Sequence, residues 1–222
     1  MDFVACIITA VAAYLLGSIP TGYLVAKAKS IDIRTVGSGN IGATNVMRIL
    51  GKPAGISVLF IDAVKGWLAV WWLAKLAGDY LLPPNSSRGS YEIVAIVAAL
   101  SAILGHNYTC WLKFKGGKGI ATSAGVLLAL VPLALIIVLG IWFVLFALTR
   151  FVSVGSIGAA AALPFATWLT TQRPLLTAVT AAVGALAIFK HKPNIQRLLN
   201  GTENRVGAKT NPNPAPTNPP AT

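Results

Sequence analysis

Three stretches of this sequence hold more hydrogen-bonding chemistry than connections between apolar segments require. The first is Gly37-Ser38-Gly39-Asn40-Ile41-Gly42-Ala43-Thr44-Asn45, followed by Val46-Met47-Arg48. Its glycines let the backbone turn tightly and approach a ligand. Ser38, Asn40, Thr44 and Asn45 add neutral hydroxyl and amide groups beside the Arg48 cation. The second runs Gly105-His106-Asn107-Tyr108, then Phe114-Lys115-Gly116-Gly117-Lys118-Gly119-Ile120-Ala121-Thr122-Ser123. A Gly-rich turn with lysines leads there into a helix, whose first N–H groups and positive dipole end favour an anion. The spacing is not that of the nucleotide P-loop, and no strand precedes it. The third is Lys190-His191-Lys192-Pro193-Asn194-Ile195-Gln196-Arg197, continuing to Glu203. His191 and Asn194 lie three apart and share a face if the segment is helical, and Pro193 suits a first helical turn. A shorter segment, Thr149 to Ser156, places Ser156 at a helix junction.

Each stretch has a plainer reading: a flexible linker, a basic turn at lipid headgroups, or a topology signal. Taken together they offer cations, Gly-rich backbone, hydroxyls, amides and the two histidines His106 and His191. Paired carboxylates for glycoside chemistry are missing. There is no His/Cys cluster for zinc and no G-x-S-x-G nucleophile elbow. Neither a metal nor a cofactor is expected. What remains is recognition of phosphate, with a transfer that needs little protein acid–base machinery.

The elements that must position these loops span a membrane. The chain has 222 residues, of which 11% are charged, and its mean hydropathy is +0.72. A soluble domain of this size carries more charge than that, so long apolar segments face lipid. The net charge of +12 would suggest nucleic acid in a soluble protein. Here the bases fall between apolar segments, which fits a cytoplasmic membrane face instead, and no nucleic-acid partner is expected. A transmembrane helix takes about 20 apolar residues. Phe3 to Ala26, Pro53 to Leu76, Tyr91 to Gly105, Ser153 to Leu169 and Pro174 to Phe189 are candidates. Ala121 to Leu148 is too long for one span, and Pro132 predicts a short helix, a turn and a full helix. The first segment lacks a basic n-region and is read as a retained span.

Splitting the long segment gives seven spans and an all-α polytopic fold. With the N-terminus outside, fourteen of the eighteen bases then fall on one side, against Lys75, Arg88 and Arg173 on the other and Lys65 within a span. That asymmetry puts the C-terminus and all the polar loops in the cytoplasm. Asp62 and Lys65 are candidates for an intramembrane pair. Residues 1–205 read as a single membrane domain, and 206–222, rich in Pro, Asn and Thr, as a disordered tail.

Gly37 to Asn45, Gly105 to Thr122 and His191 to Glu203 resemble, in order, the three signature loops of the bacterial acyl-phosphate:glycerol-3-phosphate acyltransferases, the PlsY type. The resemblance extends to Gly17-Ser18-Ile19-Pro20-Thr21-Gly22 and to the Asp62–Lys65–Gly66 span, and runs to about Arg205. It implies transfer of a fatty acyl group from acyl phosphate to the 1-hydroxyl of glycerol 3-phosphate in phospholipid synthesis at the bacterial inner membrane. It implies membrane lipids, and the enzyme that supplies acyl phosphate, as partners. The His-x4-Asp motif of other acyltransferases is absent, since Trp111 follows His106 and Gln196 follows His191 at that spacing.

Carried across, the resemblance makes Ser38, Thr44 and Arg48 substrate phosphate contacts. It makes Gly116, Gly117, Lys118 and Gly119 a phosphate cradle, and Ser156, His191 and Asn194 further contacts. Asn40, Asn45 and Lys115 complete the expected substrate-binding set, and Ser38, His106, Lys118 and His191 are the catalytic candidates. Acyl phosphate has a good leaving group, so direct attack without an acyl-enzyme is expected. The proton would go to the donor phosphate, to His106 or to His191. The competing reading is a membrane carrier for a phosphorylated metabolite. It conflicts with polar motifs on one face, because carriers bind near the midplane.

Overall fold

Large apolar side chains point outward all along the helices: Phe143 is 61% exposed, Leu148 74% and Phe165 76%. Such a surface is costly in water and natural in lipid. The computed structural model describes residues 2–207, and all its regular elements are helical. The expected tail falls almost wholly outside these residues. Helices α1 (Asp2–Ser18) and α2 (Thr21–Lys27) are separated by Ile19 and Pro20. After a long polar loop come α3 (Ala43–Leu50) and α4 (Lys52–Leu68). A π-helical turn, Ala69–Leu73, joins α4 to α5 (Ala74–Leu81). Then follow α6 (Arg88–Asn107), a short turn at Cys110–Leu112, α7 (Ile120–Leu130), α8 (Pro132–Thr149), α9 (Val152–Thr171), α10 (Pro174–Lys190) and α11 (Lys192–Leu199).

The expected break in the fourth apolar segment is present at Val131. Proline disfavours helical backbone in the residue before it and suits the first turn of the helix it begins; Val131 accordingly takes φ −145° and Pro132 opens α8. Among the described residues, five helical segments are long and apolar enough to cross a membrane, and α10 with α11, bent by 54°, makes a sixth. Helix α7 has 11 residues, which at 1.5 Å per residue spans about 16 Å, half of a hydrocarbon core of about 30 Å. By length the structure therefore supports five or six full crossings among the described residues, and a seventh, through α7, is not established by length alone.

Within lipid, helices associate through close approach of small residues rather than hydrophobic drive. Gly17 of α1 lies against the backbone of Ala102, and Gly105 of α6 against that of Tyr14. Gly66 of α4 likewise meets the Thr122 carbonyl, and Gly125 of α7 the Ala63 carbonyl. A side chain at any of these positions would part the helices. These two contacts, α1 with α6 and α4 with α7, fix the ends of α6 and α7, and the Gly-rich loop is slung between those ends.

Candidate active site

The three polar loops converge. Ser38, Gly39 and Asn40 from the first, Gly116 to Lys118 from the second, and Lys190, Pro193, Asn194 and Arg197 from the third enclose a cavity of about 210 Å³. A single water needs on the order of 10–15 Å³, so this space suits a small molecule. Three cations and no carboxylate line it.

The first loop owes its shape to Asn45. That side chain is 2% exposed. Its amide nitrogen donates toward the carbonyls of Val36 at 3.1 Å and Asn40 at 3.0 Å, with Ile33 O at 3.3 Å. Its oxygen accepts from Ser38 N at 2.9 Å and from Arg48 at 3.3 Å. Asn45 is thus committed to the loop and away from the cavity, which it reaches only through Ser38. Asn40 uses its side-chain oxygen on Gly42 N at 2.8 Å yet still lines the cavity. Thr44 and Arg48 are exposed and lie outside the residues that line the cavity. Partial burial, with repulsion from Arg197, lowers the Arg48 pKa against the opposing pull of Glu203.

In the second loop the glycines serve close packing more than anion binding. The N–H groups of Gly116 and Gly117 donate to the carbonyls of Asn107 at 3.2 Å and His106 at 3.0 Å. A Cβ at Gly117 would overlap the His106 imidazole. Gly119, at φ +79°, turns the chain into α7, whose first N–H groups have no intrahelical partner. Lys118 points to the third loop and donates to Asn194 Oδ1. Lys115 is exposed and away from the cavity. His106, 5% exposed, lies behind the loop, not in the cavity.

In the third segment Asn194 and Arg197 lie three apart on α11. Glu203, which the sequence reading did not single out, folds back to organise them. It accepts from Asn194 at 2.7 Å, Arg197 at 2.7 Å and Ser153 at 3.0 Å. Burial works to raise its pKa, but those hydrogen bonds outweigh it and hold the carboxyl below its usual value. A hydrogen bond to a charged group contributes about 1.5–3 kcal/mol. Glu203→Gln should therefore lower kcat/KM by about 10- to 150-fold, read from initial rates in lipid. Arg197 and Lys190 were also missed as site residues. Position 197 falls one turn after 193 and 194 on the same helix, a spacing that would have found Arg197.

His191 sits at the bend between α10 and α11, 4% exposed. Its Nδ1 is 2.8 Å from the Ala187 carbonyl. A carbonyl only accepts, so Nδ1 carries the proton and neutral Nε2 holds a free lone pair. Ser156 donates to Val152 O at 2.9 Å and accepts from Trp142 at 3.2 Å. It faces a second, apolar groove of about 70 Å³, lined also by Leu127, Leu135, Val138 and Leu163. The groove begins at Ile120, next to Gly119, and at Ala187, whose carbonyl holds His191. A polar, cationic head site thus adjoins an apolar channel between α7, α8, α9 and α10.

Residues 7–201 match the family described as glycerol-3-phosphate acyltransferase. The chain belongs to that family. It is 51% identical over 196 residues to the glycerol-3-phosphate acyltransferase of Geobacter metallireducens, covering 88% of this chain and 95% of the relative. With that of Geotalea daltonii it shares 47% over 198 residues, 89% of this chain and 96% of the relative. Its fold is similar, at TM-score 0.80 and 37% identity, to the crystal structure of PlsY, an integral membrane glycerol 3-phosphate acyltransferase, in its glycerol 3-phosphate form. The match covers 91% of this chain and 96% of that one. The lysophosphatidic acid form of the same enzyme matches at TM-score 0.78 and 36% identity, over 91% of this chain and 95% of that one. Family membership settles the reaction class: an acyltransferase of phospholipid synthesis, integral to the membrane.

Electrostatics set the working range of the cavity. Burial, followed by repulsion from Arg197, Arg48 and Lys190, pushes Lys118 down to about 8, against the pull of Glu203. Lysine is cationic below its pKa, so the site holds its full charge below about pH 8 and loses it above. The pH profile of kcat/KM reports groups of the free enzyme. It should fall on the alkaline side of pH 8, and Lys118→Arg, which stays charged, should flatten that limb.

Proposed function

We propose that this chain transfers a fatty acyl group from acyl phosphate to the 1-hydroxyl of glycerol 3-phosphate. The products are 1-acyl-glycerol 3-phosphate and inorganic phosphate. The observation that carries this reading is the cationic cavity opening beside an apolar groove. Two anionic substrates held side by side need cations to offset their repulsion, and charge-assisted hydrogen bonds are the strong ones. The Gly116–Gly119 turn with Lys118 takes one phosphate, with Ser38 and Asn40 facing it across the cavity. Lys190, Asn194 and Arg197 complete the anion site, with Thr44 and Arg48 at its rim. The acyl chain lies in the groove, where Ser156 is within reach of its carbonyl end.

The glycerol hydroxyl oxygen attacks the acyl carbon, and the bond from that carbon to the phosphate oxygen breaks. The hydroxyl proton ends on the released phosphate, passing directly or through His191 Nε2. Positioning two bound reactants and stabilising the developing charge supply most of the rate. The site lies at the cytoplasmic face of a bacterial plasma membrane, with the N-terminus outside and the C-terminus inside, as the distribution of bases implies.

Purified protein in lipid, given palmitoyl phosphate and glycerol 3-phosphate, should release lysophosphatidic acid and phosphate in equal amounts. Palmitoyl-CoA should give none. Product from the thioester alone would overturn the donor assignment. Uptake of glycerol 3-phosphate into proteoliposomes without acylation would favour a carrier.

A further inference from the structure

Behind the phosphate loop, inside the bundle, lies a second group of ionisable side chains that the acyl transfer does not use. Asp62 and Lys65, one turn apart on α4, are 2% and 4% exposed, and His106 at the end of α6 is 5% exposed. Lys65 Nζ is 2.8 Å from Asp62 Oδ1. It also donates at 2.9 Å to the carbonyl of Ile19, in the break between α1 and α2. The same carboxylate oxygen stands 3.8 Å from His106 Nδ1. Charges inside membrane-spanning segments are costly even when paired, and an apolar pair of similar volume is often as stable. The close approach of Gly66 and Gly125 already holds α4 against α7. The α4–α7 contact therefore does not need these charges, which reach toward the α1–α2 break and α6.

The contacts lead instead to the loop. Lys65 fixes the carboxylate of Asp62. The imidazole of His106 lies between that carboxylate, on its Nδ1 side, and Gly117, where a Cβ would overlap Nε2. The His106 carbonyl accepts the Gly117 N–H at 3.0 Å, and that of Asn107 accepts from Gly116 at 3.2 Å. Lys190, reaching from α10, donates to the Asn107 carbonyl at 3.1 Å. Lys118 follows Gly117 directly. A tilt of the imidazole would move Gly117, and with it the ammonium that faces substrate.

We propose that Asp62 and Lys65 are positioning residues for the phosphate loop, acting through His106. The ring packs between the carboxylate, 3.8 Å from Nδ1 without a hydrogen bond, and the Gly117 backbone, and so sets the height of the loop above α6. This assigns His106 to placement rather than proton transfer. It rests on the reading of the Gly116–Gly119 turn as a phosphate site.

The test uses the full chain in lipid and inorganic phosphate as the probe, measured as an inhibitor of acyl transfer. Asp62→Asn with Lys65→Met keeps the bundle neutral and removes the clamp. The phosphate inhibition constant should rise by about tenfold or more, the loss expected when a hydrogen bond to a charged group is misaligned. Leu176→Ala, in the apolar core, serves as a control for general destabilisation, with melting temperatures of both variants measured alongside. Its phosphate constant should stay within about twofold, as expected for a site with no shared partners. Equal weakening in both variants would reduce the pair to a structural role and overturn the proposal, as would an unchanged constant in the double variant. If the double variant does not fold, His106→Asn is read the same way, since it keeps a donor toward Asp62 but opens the space against Gly117. Lys118→Ala separates the two readings. Phosphate affinity lost there but kept in the clamp variants overturns positioning alone. Affinity kept in Lys118→Ala removes the phosphate loop, and the positioning proposal with it.

Discussion

Lys118→Ala is expected to lower kcat/KM by about two to three and a half orders of magnitude, the equivalent of about 3–5 kcal/mol for removing one partner of a buried charged network. Lys118, like Lys190, joins the second loop to the third. It leaves the Gly-rich turn and donates to Asn194 Oδ1, whose amide is itself held by Glu203 at 2.7 Å. Alanine therefore removes the charge facing substrate and also leaves the Asn194 oxygen without its partner. The two losses act on binding and on alignment, so KM for the substrate whose phosphate sits there should rise while kcat also falls. Initial rates with both substrates varied would measure it. A loss below tenfold, in protein that melts as the wild type does, would show that Arg197 and Lys190 carry the phosphate without it. Lys118→Arg should recover part of the rate, because it restores the charge but not the compact ammonium geometry.

Why Lys118 could be found from sequence and Glu203 could not is a matter of range. A Gly-rich turn with lysines entering a helix is a local pattern, which residues 115–120 display directly, and Lys118 does line the cavity. The break at Pro132 is also local, because proline imposes its restriction on the residue before it. The hydrogen bonds of Asn45 could not be read from sequence for the opposite reason. An amide among glycines and hydroxyls looks like a ligand, yet its hydrogen bonds close the loop on itself, reaching back to Val36 and Ile33. The position of His106 was equally hard to read: nothing between residues 105 and 108 shows that its ring lies behind the loop, outside the cavity lining. Glu203 acts across fifty residues on Ser153, and such a contact leaves no spacing to read. The span count drew on Pro132 and the distribution of bases, and α7 is short because Gly119 and Pro132 bound it. The family resemblance supplied the reaction, which the loops by themselves left as phosphate recognition.

His191→Gln should lower kcat by about two to four orders of magnitude with little change in KM, if the imidazole carries the hydroxyl proton in the transition state. The structure defines which nitrogen would do so. Nδ1 is engaged with the Ala187 carbonyl at 2.8 Å, which fixes the ring and leaves the Nε2 lone pair as the acceptor. Lys118 and Glu203 lie within electrostatic reach of the ring, and Lys190, Pro193 and Asn194 line the cavity on either side of it in sequence. Glutamine keeps a polar group of similar reach but cannot take a proton. The alternative acceptor is the donor's own phosphate, which leaves as the dianion that ends with the proton in any case. The two routes differ in what glutamine does. If the phosphate takes the proton directly, kcat should fall less than about tenfold, since only orientation is disturbed, and the acid limb of the pH profile should be unchanged. If Nε2 takes it, kcat should fall by the larger factor and the acid limb should disappear; burial pushes the His191 imidazole down to about 4, so in the wild type that limb should lie near pH 4.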